Sequence, residues 1–286
     1  MPDFTALTVE RAQRVCAAAL REAGFETSDL DARLLLQAVL SCDATALARD
    51  PARGLSDDEA ARFSDYTAER LAHKPVSRIL GWREFYGRDF FINERVLDPR
   101  ADSETLIEAA LAQLPASEAA HILDLGTGSG CLLLTLLAER ETVKGVAADV
   151  SPHALKVARE NAERLGVAAR ARFIESDWFK NIRGRFDMIV SNPPYLTPGE
   201  MEFLDRTVAD YDPHLALYGG ADGLSPYRLI CREVEKFLTP TGWVIFEIGS
   251  LQARAVSAMM DEAGFSDVQV CQDLAGRDRV VVGRRG

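Results

Sequence analysis

From residue 119 onward, short apolar runs typical of buried strands alternate with segments of helical periodicity. Strands are predicted at 122–125, 144–150, 170–176, 186–190 and 243–248, and helices at 131–138, 152–165, 225–238 and 251–263. This alternation predicts a mostly parallel sheet with helices on both faces, because parallel strands need long crossover connections. The runs 268–271 and 279–282 predict a closing antiparallel pair. The predicted fold class is therefore α/β, with ligands beyond the carboxyl ends of the strands.

The first part of the chain has a different pattern. Residues 1–73 carry apolar side chains at three- and four-residue spacing, which predicts a small helical bundle. Ser56-Asp57-Asp58-Glu59 resembles a capping box that opens one of its helices. We expect Lys74-Pro75 to end the helices and an aromatic β-hairpin to form within a linker at 74–100. The α/β domain then occupies 101–286.

Composition narrows the class of partner. The formal net charge of −11 argues against a broad nucleic-acid-binding surface, so a protein or a small molecule is expected. No apolar run reaches the roughly 18 residues of a membrane span, and the N-terminus lacks the order of a signal peptide. Five scattered cysteines and four unclustered histidines favour neither disulfides nor a metal site. We expect a cytoplasmic protein without a metal.

A glycine-rich turn joins the first predicted strand of the sheet to its helix. It reads Gly126-Thr127-Gly128-Ser129-Gly130, with Asp124 two positions before it. Glycines at such a turn let the backbone approach a ligand closely. The spacing is G-x-G-x-G rather than the G-x-G-x-x-G typical of dinucleotide-binding proteins. The turn alone indicates a nucleotide-like ligand without naming it.

Acidic residues follow the next two predicted strands. Asp149 ends the second strand, where a carboxylate can accept hydrogen bonds from two ribose hydroxyls. Asp177 and Trp178 end the third, where an acid or the backbone can bind an adenine amino group and an aromatic ring can pack on the base. This arrangement identifies a nucleoside and serves NAD and S-adenosylmethionine equally well.

The fourth predicted strand ends in Asn192-Pro193-Pro194-Tyr195. Two prolines cannot continue a strand, because each lacks a backbone N–H and has a fixed φ. The Asn192 side chain and the Pro193 carbonyl then offer two acceptors for one –NH2 group, and Tyr195 can lie against a flat partner. The tetrapeptide therefore predicts chemistry on a planar amide or amino nitrogen.

These motifs together resemble the class I S-adenosylmethionine-dependent methyltransferases that modify planar nitrogens. Segments 81–87, 97–104 and 273–280 further resemble the bacterial peptide chain release factor N5-glutamine methyltransferases. The similarity runs from about residue 74 to residue 286. It implies a Rossmann-like, mostly parallel seven-stranded sheet with an antiparallel last strand, preceded by the small helical bundle and the β-hairpin linker.

The resemblance also implies the ligands and the residues that bind them. S-adenosyl-L-methionine would be the cofactor, and a glutamine of a peptide chain release factor the methyl acceptor, recognised by a monomer with the help of its helical bundle. The cofactor-binding residues would be Gly126, Thr127, Gly128, Ser129, Gly130, Asp149, Asp177, Trp178 and Asn192. The substrate-binding residues would be Asn192, Pro193, Pro194 and Tyr195, with Asn192 and Pro193 as the catalytic pair.

Two positions depart from the family pattern. Asp98 stands where the family usually has an aliphatic residue, and Asp212-Pro213 stands where it usually has Glu-Pro. We expect Asp98 to alter the wall of the pocket or to pair with Arg100. Neither change touches the Asn192–Tyr195 motif.

Three other functions stay open at this point. A DNA adenine-N6 methyltransferase also acts on a planar –NH2 group, but it would need a base-flipping surface and usually a basic recognition region. A non-catalytic nucleoside-binding scaffold would have no use for an intact Asn192–Tyr195 motif. A nicotinamide dehydrogenase would have the other glycine spacing.

Overall fold

The structure is a computed structural model in which residues 2–286 are described. The chain forms two compact units, and the boundary between them lies between Gly81 and Trp82. None of the helices in the described residues is long and apolar enough to cross a membrane.

The first unit is helical. Its helices are α1 (Val9–Glu22), α2 (Ser28–Leu40), α3 (Ala44–Arg49), α4 (Asp57–Leu71) and α5 (Val76–Leu80). The predicted capping box is confirmed: the Ser56 backbone N–H donates to Glu59 at 2.9 Å, and the Glu59 N–H donates to Ser56 Oγ at 3.3 Å. Apolar faces of the helices pack around a core that contains Phe4, Leu20, Leu36 and Phe63.

One expectation for this unit is wrong. Lys74-Pro75 does not end the helices, because α5 begins directly after Pro75, ends at Leu80 and is followed by Gly81, which has φ +76°. Proline is compatible with the start of a helix, where its missing N–H would have no intrahelical partner. The helical unit therefore extends to Gly81 and past the predicted boundary at residue 73.

The second unit contains a β-hairpin and a seven-stranded sheet. The hairpin strands are β1 (Trp82–Phe85) and β2 (Arg88–Phe91). The sheet strands are β3 (His121–Leu125), β4 (Lys144–Asp149), β5 (Ala171–Glu175), β6 (Phe186–Ser191), β7 (Leu238–Glu247), β8 (Phe265–Gln272) and β9 (Asp278–Arg285). The helices are α6 (Glu104–Gln113), α7 (Cys131–Glu139), α8 (Pro152–Arg164), α9 (Pro198–Glu202), α10 (Arg206–Ala209), α11 (Ser225–Glu233) and α12 (Ala253–Glu262).

The sheet has the strand order β5-β4-β3-β6-β7-β9-β8. Strands β3 to β7 run parallel, and β9 pairs antiparallel with both β7 and β8. The predicted class I methyltransferase fold, with its antiparallel last strand, is confirmed. Strand β7 begins at Leu238, earlier than the predicted residue 243, because Leu238 already pairs with Phe186 ahead of a bulge.

Apolar side chains cover both faces of the sheet. One face packs Ile122, Val190 and Ile245 against α6 and α7, and the other packs Leu125, Ile189 and Phe246 against α11 and α12. Nearly every strand position is buried in β3 and β6, as expected for parallel strands covered on both sides.

The hairpin belongs to the second unit and is more than a linker. Phe85 and Phe90 are fully buried in the same core as α6 and α7, with ring centroids 6.1 Å apart in an edge-to-face arrangement. The predicted linker at 74–100 is therefore divided: its first residues form α5, and its hairpin is anchored in the α/β core.

Candidate active site

The predicted site residues meet at the carboxyl edge of the sheet. Strands β5, β4, β3 and β6 are adjacent and parallel, so Asp177, Asp149, the glycine-rich turn and Asn192 all follow strand ends at one edge. The register pairs Asp124 with Val190 and Asp149 with Glu175. This edge is where ligands of doubly wound sheets bind.

The glycine-rich turn presents open backbone. Gly126 and Gly128 have φ of +74° and +56°, and a Cβ built on either one would have no atom within 4 Å. The Gly126 and Thr127 N–H groups both donate to the Ala148 carbonyl, at 2.8 and 3.0 Å, which fixes the turn against β4. The space beside these two glycines is therefore free for a ligand, and side chains there would fill it.

The other three residues of the turn hold it in place. A Cβ on Gly130 would lie 2.8 Å from Leu134 and 3.2 Å from Ala158, and its φ is +85°. The Thr127 and Ser129 side chains are buried, so a ligand can meet only their backbone. Gly130 is therefore required for packing of the turn on α7 and α8.

Asp124 was not among the predicted site residues, although the sequence places an acid there. Its side chain is fully buried, and its Oδ2 accepts a hydrogen bond from Thr127 Oγ1 at 2.6 Å. Its Oδ1 has no partner within residues 2–286. Burial raises the pKa of Asp124 to about 7, against the opposing effect of the Thr127 hydrogen bond. An unpartnered buried acceptor under the glycine turn suits a ligand that carries a positively charged group.

Asp149 is linked directly to the turn. Its Oδ2 accepts from the Gly128 N–H at 2.9 Å, and its Oδ1 accepts from the Ser151 N–H at 2.8 Å. Burial raises the pKa of this carboxyl, and the backbone N–H groups of Ser151, Gly128 and Val150 oppose that rise. Each oxygen of a carboxylate has a second lone pair, so two ribose hydroxyls can still be accepted.

Asp177 and Trp178 lie at the end of β5. The Asp177 side chain is exposed. Trp178 is half-buried against the core on the α11 and α12 side of the sheet, and its φ is +49°. Ser176 Oγ donates to the Trp178 carbonyl at 2.7 Å and stabilises this left-handed backbone. Their contact with an adenine ring stays a prediction.

Asn192–Tyr195 forms the last part of the edge. Asn192 is half-buried, Pro193 is buried, and Pro194 and Tyr195 are half-buried. Asn192 Nδ2 donates to Ser103 Oγ at 3.4 Å. In the part of the chain that is described, neither Asn192 Oδ1 nor the Pro193 carbonyl accepts a hydrogen bond. Two adjacent acceptors are thus available for a ligand.

Residues remote in sequence support this tetrapeptide. A Cβ on Gly219 would lie 2.6 Å from Tyr195 Cα, and one on Gly223 would lie 2.3 Å from the Tyr195 carbonyl oxygen. Gln252 Nε2 donates to the same carbonyl at 3.1 Å and to the Gly223 carbonyl at 3.2 Å. Only glycine allows so close an approach of the loop 219–223, which presses the backbone of Tyr195 into place.

Asn161 on α8 supports the glycine turn in a similar way. Its Nδ2 donates to the Ser129 carbonyl at 2.9 Å and to the Phe91 carbonyl at 3.0 Å, and its Oδ1 accepts from the Phe91 N–H at 2.8 Å. The side chain is buried and joins the hairpin, α8 and the turn. No local signal in the sequence marks Asn161 or Gln252, because their partners are far away along the chain.

The two departures from the family pattern are neighbours in the structure. Arg100 pairs with Asp212 rather than with Asp98, so of the two effects expected of Asp98 the pairing with Arg100 does not occur. The Asp98 backbone N–H donates to Asp212 Oδ1 at 3.3 Å, and the Asp98 carboxylate lies 3.6 Å from Arg83. Both aspartates are buried, so together with Arg83 and Arg100 they form one charged cluster that joins two loops.

Known proteins match both units. A family model described as "Methyltransferase small domain" matches residues 101–219, and one described as "PrmC N-terminal domain" matches 11–81. A release factor glutamine methyltransferase of Cereibacter sphaeroides is 45% identical over 96% of this chain and 97% of its own length. The protein of the same name from Bradyrhizobium diazoefficiens is 42% identical over 99% and 96%.

This chain belongs to the release factor glutamine methyltransferase family. Among solved structures, a methyltransferase from Pyrococcus furiosus has the same fold, with a TM-score of 0.54, 19% identity and coverage of 78% of this chain and 99% of that one. The predicted resemblance is confirmed, and with it the assignment as a methyltransferase that uses S-adenosyl-L-methionine.

The residues at the strand ends fit that cofactor. The backbone at Gly126 and Gly128 leaves room for a closely bound ligand, the Asp149 carboxylate has lone pairs that suit ribose hydroxyls, and the unpartnered Asp124 Oδ1 suits a positive charge. The S-adenosylmethionine molecule carries both an ammonium and a sulfonium group, so the acidic character of this site matches the ligand.

Proposed function

We propose that this protein transfers a methyl group from S-adenosyl-L-methionine to the side-chain N5 of a glutamine in peptide chain release factors. The observation that carries the proposal is the orientation of Asn192. Its Nδ2 is turned to Ser103 Oγ, 3.4 Å away, so its Oδ1 and the neighbouring Pro193 carbonyl are left as acceptors. A primary amide has two N–H donors, which two such acceptors can satisfy together.

These hydrogen bonds address the chemical difficulty of the reaction. An amide nitrogen is a poor nucleophile, because its lone pair is delocalised into the carbonyl. Acceptors on both N–H groups orient the nitrogen and favour its pyramidal form as the new bond develops. Asn192 and Pro193 thus act by position and by fixed dipoles, and no strong base is required.

The residues that would hold the methyl donor follow strand ends at the same edge of the sheet. When bound, S-adenosyl-L-methionine supplies an electrophilic methyl group on its sulfonium. The residues of the chain hold the reactants: Gly126 and Gly128 admit the cofactor, Asp149 accepts from its ribose, and Asn192 aims the amide nitrogen. The excess proton of the methylated amide leaves to solvent after the displacement.

Tyr195 shapes the slot in which the flat amide lies. Its ring packs against the core on the α11 and α12 side of the sheet. Burial raises the pKa of Tyr195 to about 12, so the phenol stays neutral and serves as a wall rather than as a base. Pro194 completes the slot, and its carbonyl lies against Gly219.

Partner recognition is assigned to the helical unit, as an extension of this proposal. The family model for the N-terminal domain covers residues 11–81, and its relatives carry the name of a release factor methyltransferase. We further propose that the enzyme acts as a cytoplasmic monomer and does not bind nucleic acid directly.

A comparison of methyl acceptors tests which substrate the enzyme uses. The full-length protein and S-adenosylmethionine labelled in its methyl group are incubated, in separate reactions, with a release factor, a histone-like protein or duplex DNA. Label on a release-factor glutamine, lost when that glutamine is replaced by alanine, is the expected result. Label on adenine in DNA would instead favour a DNA adenine-N6 methyltransferase and would overturn the proposal.

A further inference from the structure

A buried carboxyl stands beside the catalytic asparagine and has no part in the mechanism described so far. Glu247 is the last residue of β7, and the register pairs Ser191 of β6 with Phe246. The next residues along these parallel strands are Asn192 and Glu247. Glu247 is 1% exposed, and its Oε2 has no partner among residues 2–286.

Glu247 lies beside the Nδ2 end of the Asn192 carboxamide, the end that is turned away from the substrate slot. Asn192 Nδ2 donates to Ser103 Oγ at 3.4 Å, and both side chains act on the neighbouring Glu247 carboxyl as donors that lower its pKa. An ionised carboxylate can only accept hydrogen bonds. It therefore attracts the Nδ2 end of the asparagine and repels the Oδ1 end.

We propose that Glu247 is a positioning residue that fixes the orientation of the Asn192 carboxamide. The two ends of a carboxamide have nearly the same shape, so packing alone does not select one of them. If the group were reversed, Asn192 would present N–H donors to the N–H donors of the substrate amide. The acceptor at Glu247 excludes that state, and the inference rests on the proposed role of Asn192.

The surroundings of Glu247 adjust its charge. Burial raises its pKa to about 7, while the Ser103 and Asn192 side chains and the Arg279 guanidinium lower it. Arg279 is itself buried and pairs with Asp102 at 3.0 Å and with Asp273 at 3.3 Å. The titratable and charged groups that face Glu247 from the neighbouring elements are Arg279, Asp102, Tyr195, Tyr227 and Cys131.

The orientation of Asn192 should therefore depend on pH. Above neutral pH the ionised carboxylate enforces the productive orientation. As the pH falls through about 7, Glu247 gains a proton, becomes a donor as well as an acceptor, and no longer excludes the reversed carboxamide.

The first test compares E247Q with T135V in the full-length enzyme. Glutamine has the shape of glutamate but can donate hydrogen bonds as well as accept them. Thr135 is the control, because it is a buried residue of α7 whose Oγ1 has no partner in the described chain. We expect E247Q to lower kcat about 100-fold with little change in KM or cofactor affinity, and to remove the acidic limb near pH 7 from the kcat profile. T135V should keep the wild-type values. An E247Q enzyme with wild-type kcat and pH profile would overturn the proposal.

A second measurement needs no substrate. In NMR spectra of isotope-labelled protein, the Asn192 side-chain amide is assigned by its absence in N192A. Its resonances should shift through a titration near pH 7 in the wild-type protein, and a pH-independent amide would overturn the proposal. If this titration is found but a release factor is not methylated, the positioning role stands and the proposed substrate is wrong.

Discussion

The backbone N–H of Gly128 donates to Asp149 Oδ2 at 2.9 Å. This bond joins the turn after β3 to the acid at the end of β4, so the backbone proposed to bind the cofactor and the carboxylate proposed to bind its ribose form one unit. A change in Asp149 should consequently affect both parts of the cofactor site.

Replacement of Asp149 by asparagine should weaken cofactor binding. Asparagine has one neutral oxygen in place of the two charged oxygens that accept from Gly128, Ser151 and the ribose hydroxyls. A hydrogen bond to a charged group contributes about 1.5–3 kcal/mol. We expect the Kd for S-adenosylmethionine, measured by calorimetry, to rise about 10- to 100-fold. Asp177→Asn at the exposed neighbouring position should have a smaller effect. Equal effects of the two substitutions would contradict the role assigned to Asp149.

Two glycines of the same turn should respond differently to alanine. A Cβ on Gly126 meets open space that the ligand needs, whereas one on Gly130 meets Leu134 at 2.8 Å. We expect G126A to impair cofactor binding more than folding. For G130A we expect the free energy of unfolding to fall by about 1–3 kcal/mol, measured by urea denaturation. If G126A mainly lowered the stability and G130A mainly weakened cofactor binding, the cofactor would not occupy the space beside Gly126.

Gly219 should be essential for the backbone position of the tetrapeptide. A Cβ there would lie 2.6 Å from Tyr195 Cα, so G219A must displace either the loop or Tyr195. We expect the methylation rate to fall about 100-fold, since small misplacements of reacting groups are costly. Gly199 in α9 is the matched control, because a Cβ there meets nothing within 4 Å. Equal activities of G199A and G219A would refute the close packing of loop 219–223 on Tyr195.

Asp124 makes the stability of the protein depend on pH in a defined direction. Its pKa is raised from 3.8 to about 7 in the folded state, so the folded protein keeps a proton that the unfolded chain releases. The stabilising contribution is complete below about pH 3.8 and is lost as the pH rises through about 7. The loss amounts to about 4 kcal/mol, since one pKa unit corresponds to 1.36 kcal/mol.

Asparagine at position 124 has no proton to lose. We therefore expect the difference in free energy of unfolding, D124N minus wild type, to rise between about pH 5 and about pH 7 and to level off above that range. Urea denaturation across this range without cofactor is the measurement. A difference between the two proteins that does not change with pH would show that Asp124 ionises normally in the folded state.

Local sequence patterns were sufficient for most of the architecture. The glycine-rich turn, Asp149 and Asn192–Tyr195 each follow a strand directly, and the strand–helix alternation places their ends along one edge. The capping box at Ser56 is likewise a short-range signal, and it forms as predicted. Features of this kind depend on neighbours within a few residues, which the sequence displays.

What the sequence did not reveal depends on distant partners. Asn161, Gln252 and Glu247 each contact the site through residues from 32 to 70 positions away in the chain, or through a strand register that the sequence does not specify. The pairing of Arg100 with Asp212 crosses 112 positions. Helix α5 was missed for another reason, since Pro75 marks a helix start as well as an end.

The central claim, that Asn192 and Pro193 hold a glutamine amide, is tested most directly by the single-turnover methylation rate of N192A with a release factor. The substitution removes one of the two acceptors and leaves the glycine turn and Asp149 intact. We predict a rate lowered by about 10²–10³-fold, with the Kd for S-adenosylmethionine changed only a few-fold. A near-normal rate on the release-factor glutamine would contradict the account.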